Sequence, residues 1–214
     1  MSETDAGRTT VSEGVAAAGD GAVIRRATAV DIPELDRLLR QVLEVHHAGR
    51  PDLFKGGAKK YTDDQLRAIV TDEATPVFVM ARAGESAAVG ADANGIAAVG
   101  TGNVGTDAAG IDATGAGAPA PDRILGYAFC QFQRHPHDNI LTDILTLYVD
   151  DICVDEAERG HGVGSALYRH ALAFARESGC HNLTLNVWSC NPGAQAFYER
   201  MGLIPYRIGM EQLL

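Results

Sequence analysis

Basic residues are scarce in this chain, and their absence from particular stretches matters more than their number. Eighteen Lys and Arg stand against 28 Asp and Glu in 214 residues, a net charge of −10. Residues 1–22 hold Glu3, Asp5, Glu13 and Asp20 against Arg8 alone, and residues 84–122 hold Glu85, Asp92, Asp107, Asp112 and Asp122 against no base. The remainder carries only −2 of the −10, so the foldable part is nearly neutral and offers no basic stripe for nucleic acid. Long apolar runs are also missing; none approaches the ~20 residues a membrane-spanning helix needs. The first residues lack the basic start and apolar centre of a secretory signal. The cysteines are few: Cys130, Cys153, Cys180 and Cys190 form no CxxC pair and no Cys/His spacing typical of zinc. They are expected to be free thiols in a reducing cytoplasm, with no metal site.

What is present is a hydrophobic fraction of 46% against 21% charged, the balance of a single globular domain. Two stretches fall outside it. Residues 1–21 are expected to be a disordered tail. Residues 84–122 are dominated by Gly, Ala and small polar residues, with Val and Ile too sparse to repay the entropy of ordering. They are expected to be a flexible insertion in a domain that spans 22–214.

Between these stretches, strands and helices alternate. AVIRRA, residues 22–27, is a predicted strand. Asp31 with Glu34 reads as a capping box, and apolar residues at 32, 35, 38, 39, 42 and 43 follow at helical spacing, predicting a helix over 31–46. Thr62 with Gln65 opens a second helix through Val70. Strands are predicted at 76–82, 124–133, 143–154 and 182–188, and helices at 162–177 and 192–201. A terminal strand pair is predicted near 203–213.

The most informative stretch is DICVDEAERGHGVGS, residues 151–165. A strand ends, the chain turns, and glycines at 160, 162 and 164 lead into a helix. Glycine permits the backbone angles that let several N–H groups converge on one anion, and a helix N-terminus adds unpaired donors with partial positive charge. Arg159 can add an ionic contact to phosphate. A dinucleotide fingerprint fits poorly, because Ser165 follows Gly164 and strand 182–188 has no acidic residue; a P-loop fits poorly because no Lys lies nearby.

The spacing of Arg159, Gly162 and Gly164 instead resembles the Arg/Gln-x-x-Gly-x-Gly/Ala signature of the GNAT superfamily of N-acetyltransferases. Downstream, Asn191, Ala194, Phe197, Tyr198 and Gly202 resemble that family's second hallmark, an Asn, a small residue, Phe-Tyr and a helix-ending Gly. The two occur in the family's order, and the resemblance covers about 23–214 without the insertion. It implies an α/β (α+β) fold: a mixed, mostly antiparallel sheet of about seven strands with a splayed central pair, flanked by about four helices.

It also implies acetyl-CoA as cosubstrate, no metal, and transfer to a primary amine on a small molecule, a protein N-terminus or a lysine. The backbone of Ile152, Cys153 and Val154 would pair with the pantetheine arm. The amides of Gly160, His161, Gly162, Val163, Gly164 and Ser165, with Arg159, would hold the pyrophosphate. Asn191 would bind the cofactor arm or brace the splay, and Tyr198 would protonate the departing sulfur. Asp150 and Asp151 are the candidate bases. Because strand residues alternate sides, only one is expected to face the acceptor, and Asp150 is favoured for sharing a face with Ile152 and Val154. His46, His47 and Asp52 lie where the family lines its acceptor site. A homodimer is compatible with the sequence. The competing reading is a non-catalytic acyl-CoA-binding module of the same fold.

Overall fold

Residues 17–18, 21–84 and 121–214 are described in a computed structural model. Strands β1 (Ala17–Ala18), β2 (Ala22–Arg26), β3 (Val77–Arg82), β4 (Arg123–Gln133), β5 (Thr146–Val154) and β6 (Asn182–Leu185) lie side by side in chain order. The first five run antiparallel, and β6 joins β5 in parallel. Helices α1 (Ile32–Gly49), α2 (Asp63–Thr71), α3 (Val163–Glu177) and α4 (Pro192–Arg200) complete the domain. Most of the expected tail, and residues 85–120 of the expected insertion, lie outside the described residues. Ala17–Ala18, inside the expected tail, pair with β2, and the ends of the insertion meet where Arg82 faces Arg123.

Both faces of the sheet are covered, so its inner strands read as continuous apolar runs. On one face Val77, Val79, Tyr127, Phe129 and Cys153 pack with Leu35, Leu38 and Leu39 of α1 and Leu66 of α2. On the other, Phe78, Met80, Ala128, Leu147 and Val149 pack with Val163, Leu167 and Ala171 of α3. Leu35, Leu38 and Leu167 are wholly buried, each contributing on the order of 1.5–3 kcal/mol.

Three sequence expectations need correction. The cap of α1 is displaced: Asp31 makes no side-chain cap bond, and its carboxylate instead accepts from the Thr28 N–H at 2.8 Å, closing a 3-10 turn (Ala29–Asp31) ahead of the helix. Glu34 is engaged by Arg37 rather than by the helix start. The predicted strands at 143–154 and 182–188 shorten to β5 and β6. The terminal strand pair near 203–213 does not form, leaving six strands among the described residues against about seven expected. Ile204, Tyr206, Ile208 and Met210 keep the alternation of a strand but stand exposed, and Pro205, which lacks an N–H, and Gly209 interrupt the run.

The irregularity that shapes the rest of the molecule lies in β5. Phe129 of β4 faces Asp151 while Cys130 faces Val149, so Asp150 is an extra residue without a cross-strand partner. Such a bulge bends its strand and increases its twist. Pairing of β5 with β6 ends at Val149 and Leu185, immediately before it. The expected splay therefore starts at Asp150.

Candidate active site

The chain leaves β5 at Val154 and turns through residues 155–162 into α3. Asp155, 5% exposed, anchors this turn: it accepts from the Ala157 N–H at 3.2 Å and faces Arg37 of α1 at 2.9 Å. Burial alone would raise its pKa, but these partners outweigh it and hold the carboxyl below its usual range. Gln41 of α1 accepts from the Glu156 N–H, so α1 braces the turn at two points. Gly160 and Gly162 both have φ of 84°, the left-handed region that a side chain disfavours. Gly162 caps α3, and the first-turn amides of Val163, Gly164 and Ser165 have no carbonyl within the helix to bond. The His161 N–H points to the Glu158 carbonyl at 3.4 Å, at the long end of hydrogen bonding. Arg159 stands exposed beside them.

Next to these amides runs the free edge of β5. Beyond Val149 that edge has no strand partner among the described residues. The Asp155 N–H bonds back to Leu125 of β4 at 2.8 Å. Alternation along an extended strand therefore directs the preceding Val154 N–H toward the open edge. Ile152 and Val154 pack on the α3 side, whereas Cys153 is buried on the α1 side, its thiol 3.5 Å from the Leu38 carbonyl and pushed up to about 12 by burial. Such a thiol stays protonated and makes a poor nucleophile.

The two aspartates depart from the alternation argument. Lys60 Nζ reaches Asp150 at 3.0 Å and Asp151 at 3.4 Å, so both carboxylates lie on the α1–α2 side, away from Ile152 and Val154. The bulge is the cause: inserting one residue cancels the alternation between its neighbours. Asp151 is the enclosed member, its side chain 8% exposed against 40% for Asp150. The Tyr127 hydroxyl donates to it at 3.0 Å. Burial raises the Asp151 pKa, and Lys60 and Tyr127 offset this only in part. A carboxylate held above its normal range is suited to accepting a proton near neutral pH.

Helix α4 closes the site. Asn191 caps it by accepting from the Ala194 N–H at 3.1 Å, so its side chain serves the helix start. A side chain on Gly164 would meet Val154 at 3.3 Å and the Phe197 ring at 3.7 Å, so the glycine lets the turn, β5 and α4 touch. Tyr198 follows, its ring 6.2 Å from that of Tyr168, and burial foremost, with the Asp151 charge, keeps its phenol protonated. His46, Phe54 and Trp188 form an aromatic row with centroid spacings of 4.9 and 5.1 Å. His46 lies within electrostatic reach of Asp151, and burial lowers its pKa. His47 instead holds the loop through the Phe54 carbonyl at 2.7 Å, and Asp52 is bound by Arg50, which also grips Glu211.

The structure thus joins the turn, the edge of β5, Asp151 and Tyr198 in one place. It adds Lys60, Tyr61 and Tyr127, which sequence reasoning missed. Tyr127 sits in an apolar strand and reads as core; Lys60 sits in a loop and reads as surface. Only the run of two aspartates hinted that a cation must lie nearby.

Residues 108–203 match the acetyltransferase (GNAT) family. The streptothricin acetyltransferase of Streptomyces lavendulae is 46% identical over 56 residues, 26% of this chain and 30% of that protein. A probable glucosamine 6-phosphate N-acetyltransferase of Oryza sativa subsp. japonica is 33% identical over 63 residues, 29% of this chain and 36% of that protein. The chain thus aligns with about a third of the length of these curated relatives. In structure, a tetramutant of the BH1408 protein from Bacillus halodurans superposes with a TM-score of 0.67 at 24% identity, covering 89% of this chain and 99% of that one. Over residues 108–203, a little under half of its length, this chain is similar to the acetyltransferase (GNAT) family, and its fold is that of the solved structure it superposes on.

Proposed function

We propose that the protein is an N-acetyltransferase that moves the acetyl group of acetyl-CoA to a primary amine by direct attack within one ternary complex. The observation that carries this reading is the turn 159–165 at the head of α3, beside the unpaired edge of β5. Its fit to coenzyme A is specific in kind. Left-handed glycines and first-turn amides suit a diphosphate, and an open strand edge suits the amide groups of a pantetheine arm. Gly160, His161, Gly162, Val163, Gly164 and Ser165, with Arg159, are the proposed diphosphate ligands; the backbone of Ile152 and Val154 is the proposed arm contact, because the Cys153 groups turn to β4.

The bound cosubstrate supplies an acetyl thioester. The remaining steps belong to the chain's own residues. Asp151 takes a proton from the incoming ammonium, directly or through water, freeing the nitrogen lone pair for the carbonyl carbon. The Val154 N–H polarises the carbonyl oxygen. As the new C–N bond forms and the C–S bond breaks, Tyr198 gives its phenolic proton to the sulfur. The nitrogen then loses its second proton to the phenolate or solvent, which restores Tyr198. We assign the base role to Asp151 rather than Asp150, because Asp151 is the enclosed carboxylate.

The names of the relatives put amine-bearing small molecules such as streptothricin and glucosamine 6-phosphate first among acceptors to try. Four free thiols suit work in a reducing cytoplasm. The test is calorimetric titration with acetyl-CoA, followed by thiol release with a panel of amines and peptides. Binding with turnover of at least one amine is the expected result. Binding without turnover of any amine favours a non-catalytic acyl-CoA-binding module, and absence of binding overturns the assignment.

A further inference from the structure

Lys60 lies outside both sequence signatures, yet its ammonium is the one cation within ion-pair distance of Asp150 and Asp151 among the described residues. It sits in the loop between α1 and α2, and its side chain is 29% exposed. Tyr61, next to it, stacks on Phe129 and brings its hydroxyl within 3.5 Å of Asp150. The loop thereby presses a lysine and a tyrosine onto the bulge of β5 from outside.

The groups facing Asp151 come from every neighbouring element. Lys60 and Tyr61 come from the loop, His46 from α1, and Tyr127 from β4. Asp150 and Cys153 come from β5 itself, and Tyr198 from α4. Only Lys60 brings a permanent positive charge. Tyr127 contributes one neutral hydrogen bond, and Asp150 a like charge. An enclosed carboxylate with a single phenol donor and a carboxylate neighbour would otherwise stay protonated and could not accept a proton.

Resting on the acetyl-transfer reading for its catalytic consequence, we propose that Lys60 is a positioning residue: the counter-ion that keeps Asp151 charged and able to accept the acceptor's proton. Asp150, placed by the bulge, holds Lys60 over Asp151 while opposing the Asp151 charge. Lys60 therefore sets the acidic limb of the pH–rate profile without touching the acetyl group.

The test follows the Asp151 carboxyl carbon by NMR in the full chain labelled with carbon-13 aspartate, the resonance being assigned by its loss in Asp151→Asn. In Lys60→Met the titration midpoint moves up by about one to three pH units, and the acidic limb of kcat/KM moves with it. Lys60→Arg keeps both near wild type. Lys60→Gln repeats the measurement should the methionine variant fold poorly. An Asp151 midpoint unmoved in both neutral variants overturns the proposal, as does a limb that shifts while the carboxyl does not. The carboxyl titration reads Lys60 even if no amine is acetylated, so failure of the acetyl-transfer reading is seen separately, as absent turnover.

Discussion

Asp31 and Asp151 are both enclosed carboxylates beside a basic side chain, and they are held in opposite ways. Asp31, its side chain 3% exposed, receives Arg25 through two bonds of 2.8 and 2.9 Å, together with the N–H and hydroxyl of Thr28. Burial raises its pKa, but these donors more than compensate and hold it below its ordinary value. Asp151 has one phenol and a lysine shared with Asp150, and burial wins. The difference separates a carboxylate that ties structure together from one left poorly satisfied, the one proposed as the base. A fully satisfied charge has no reason to take a proton, whereas a poorly satisfied one does.

The strongest way to break this comparison is to remove each charge in turn. Asp151→Asn should lower kcat/KM by about a hundred- to ten-thousandfold. It should also leave the protein as stable as wild type at neutral pH or more so, because a buried charge is removed. The sign follows from linkage. An acid whose folded pKa is raised costs stability above that pKa, and the cost disappears as pH falls through it. Thermal unfolding and steady-state rates on one preparation test both halves; a less stable Asp151→Asn breaks the contrast.

Tyr198→Phe should cut turnover by about ten- to a thousandfold while calorimetric acetyl-CoA binding persists. Wild-type rates would remove the phenol from the mechanism.

Asp31→Asn should do the reverse of Asp151→Asn, lowering stability by about 1.5–3 kcal/mol while kcat/KM at a permissive temperature changes little. The folded pKa of Asp31 is depressed, so its contribution is complete above the unfolded value of about 3.9 and is lost as pH falls through the folded value. Denaturant titrations from pH 7 to 2 should therefore show a shallower acid loss in the variant than in wild type. The smallest effect is expected from Tyr127→Phe. It removes a bond that favours the charged form of Asp151 and should raise the acidic limb of kcat/KM by about one unit.

These regions were not equally legible in the sequence. The turn could be read because its parts are consecutive: a strand end, Arg159, and glycines spaced at 160, 162 and 164. The helix cap at Thr62 was legible for the same reason, since Thr62 and Gln65 bond each other within one turn. The cap at Asp31 was misread by one turn. Asp31 can cap forward or close a turn backward onto Thr28, and Arg25, six residues away, together with Thr28 decides for the second. The bulge left no local mark. Asp150 and Asp151 sit in a strand whose alternation is broken only by its pairing with β4. The missing terminal strands show the converse, a segment that alternates correctly but finds no ladder.

By itself, then, the sequence determined the helices, the inner strands and the glycine-rich turn, because each depends on residues within a few positions of one another. Tertiary structure alone decided which aspartate is enclosed, which lysine faces it and where β5 leaves β6. Those outcomes arise where Lys60, Tyr127, Asp151 and Tyr198, scattered over nearly 140 positions, come within reach of one another's charge. Electrostatic coupling acts over distance in space, and no spacing along the chain encodes it.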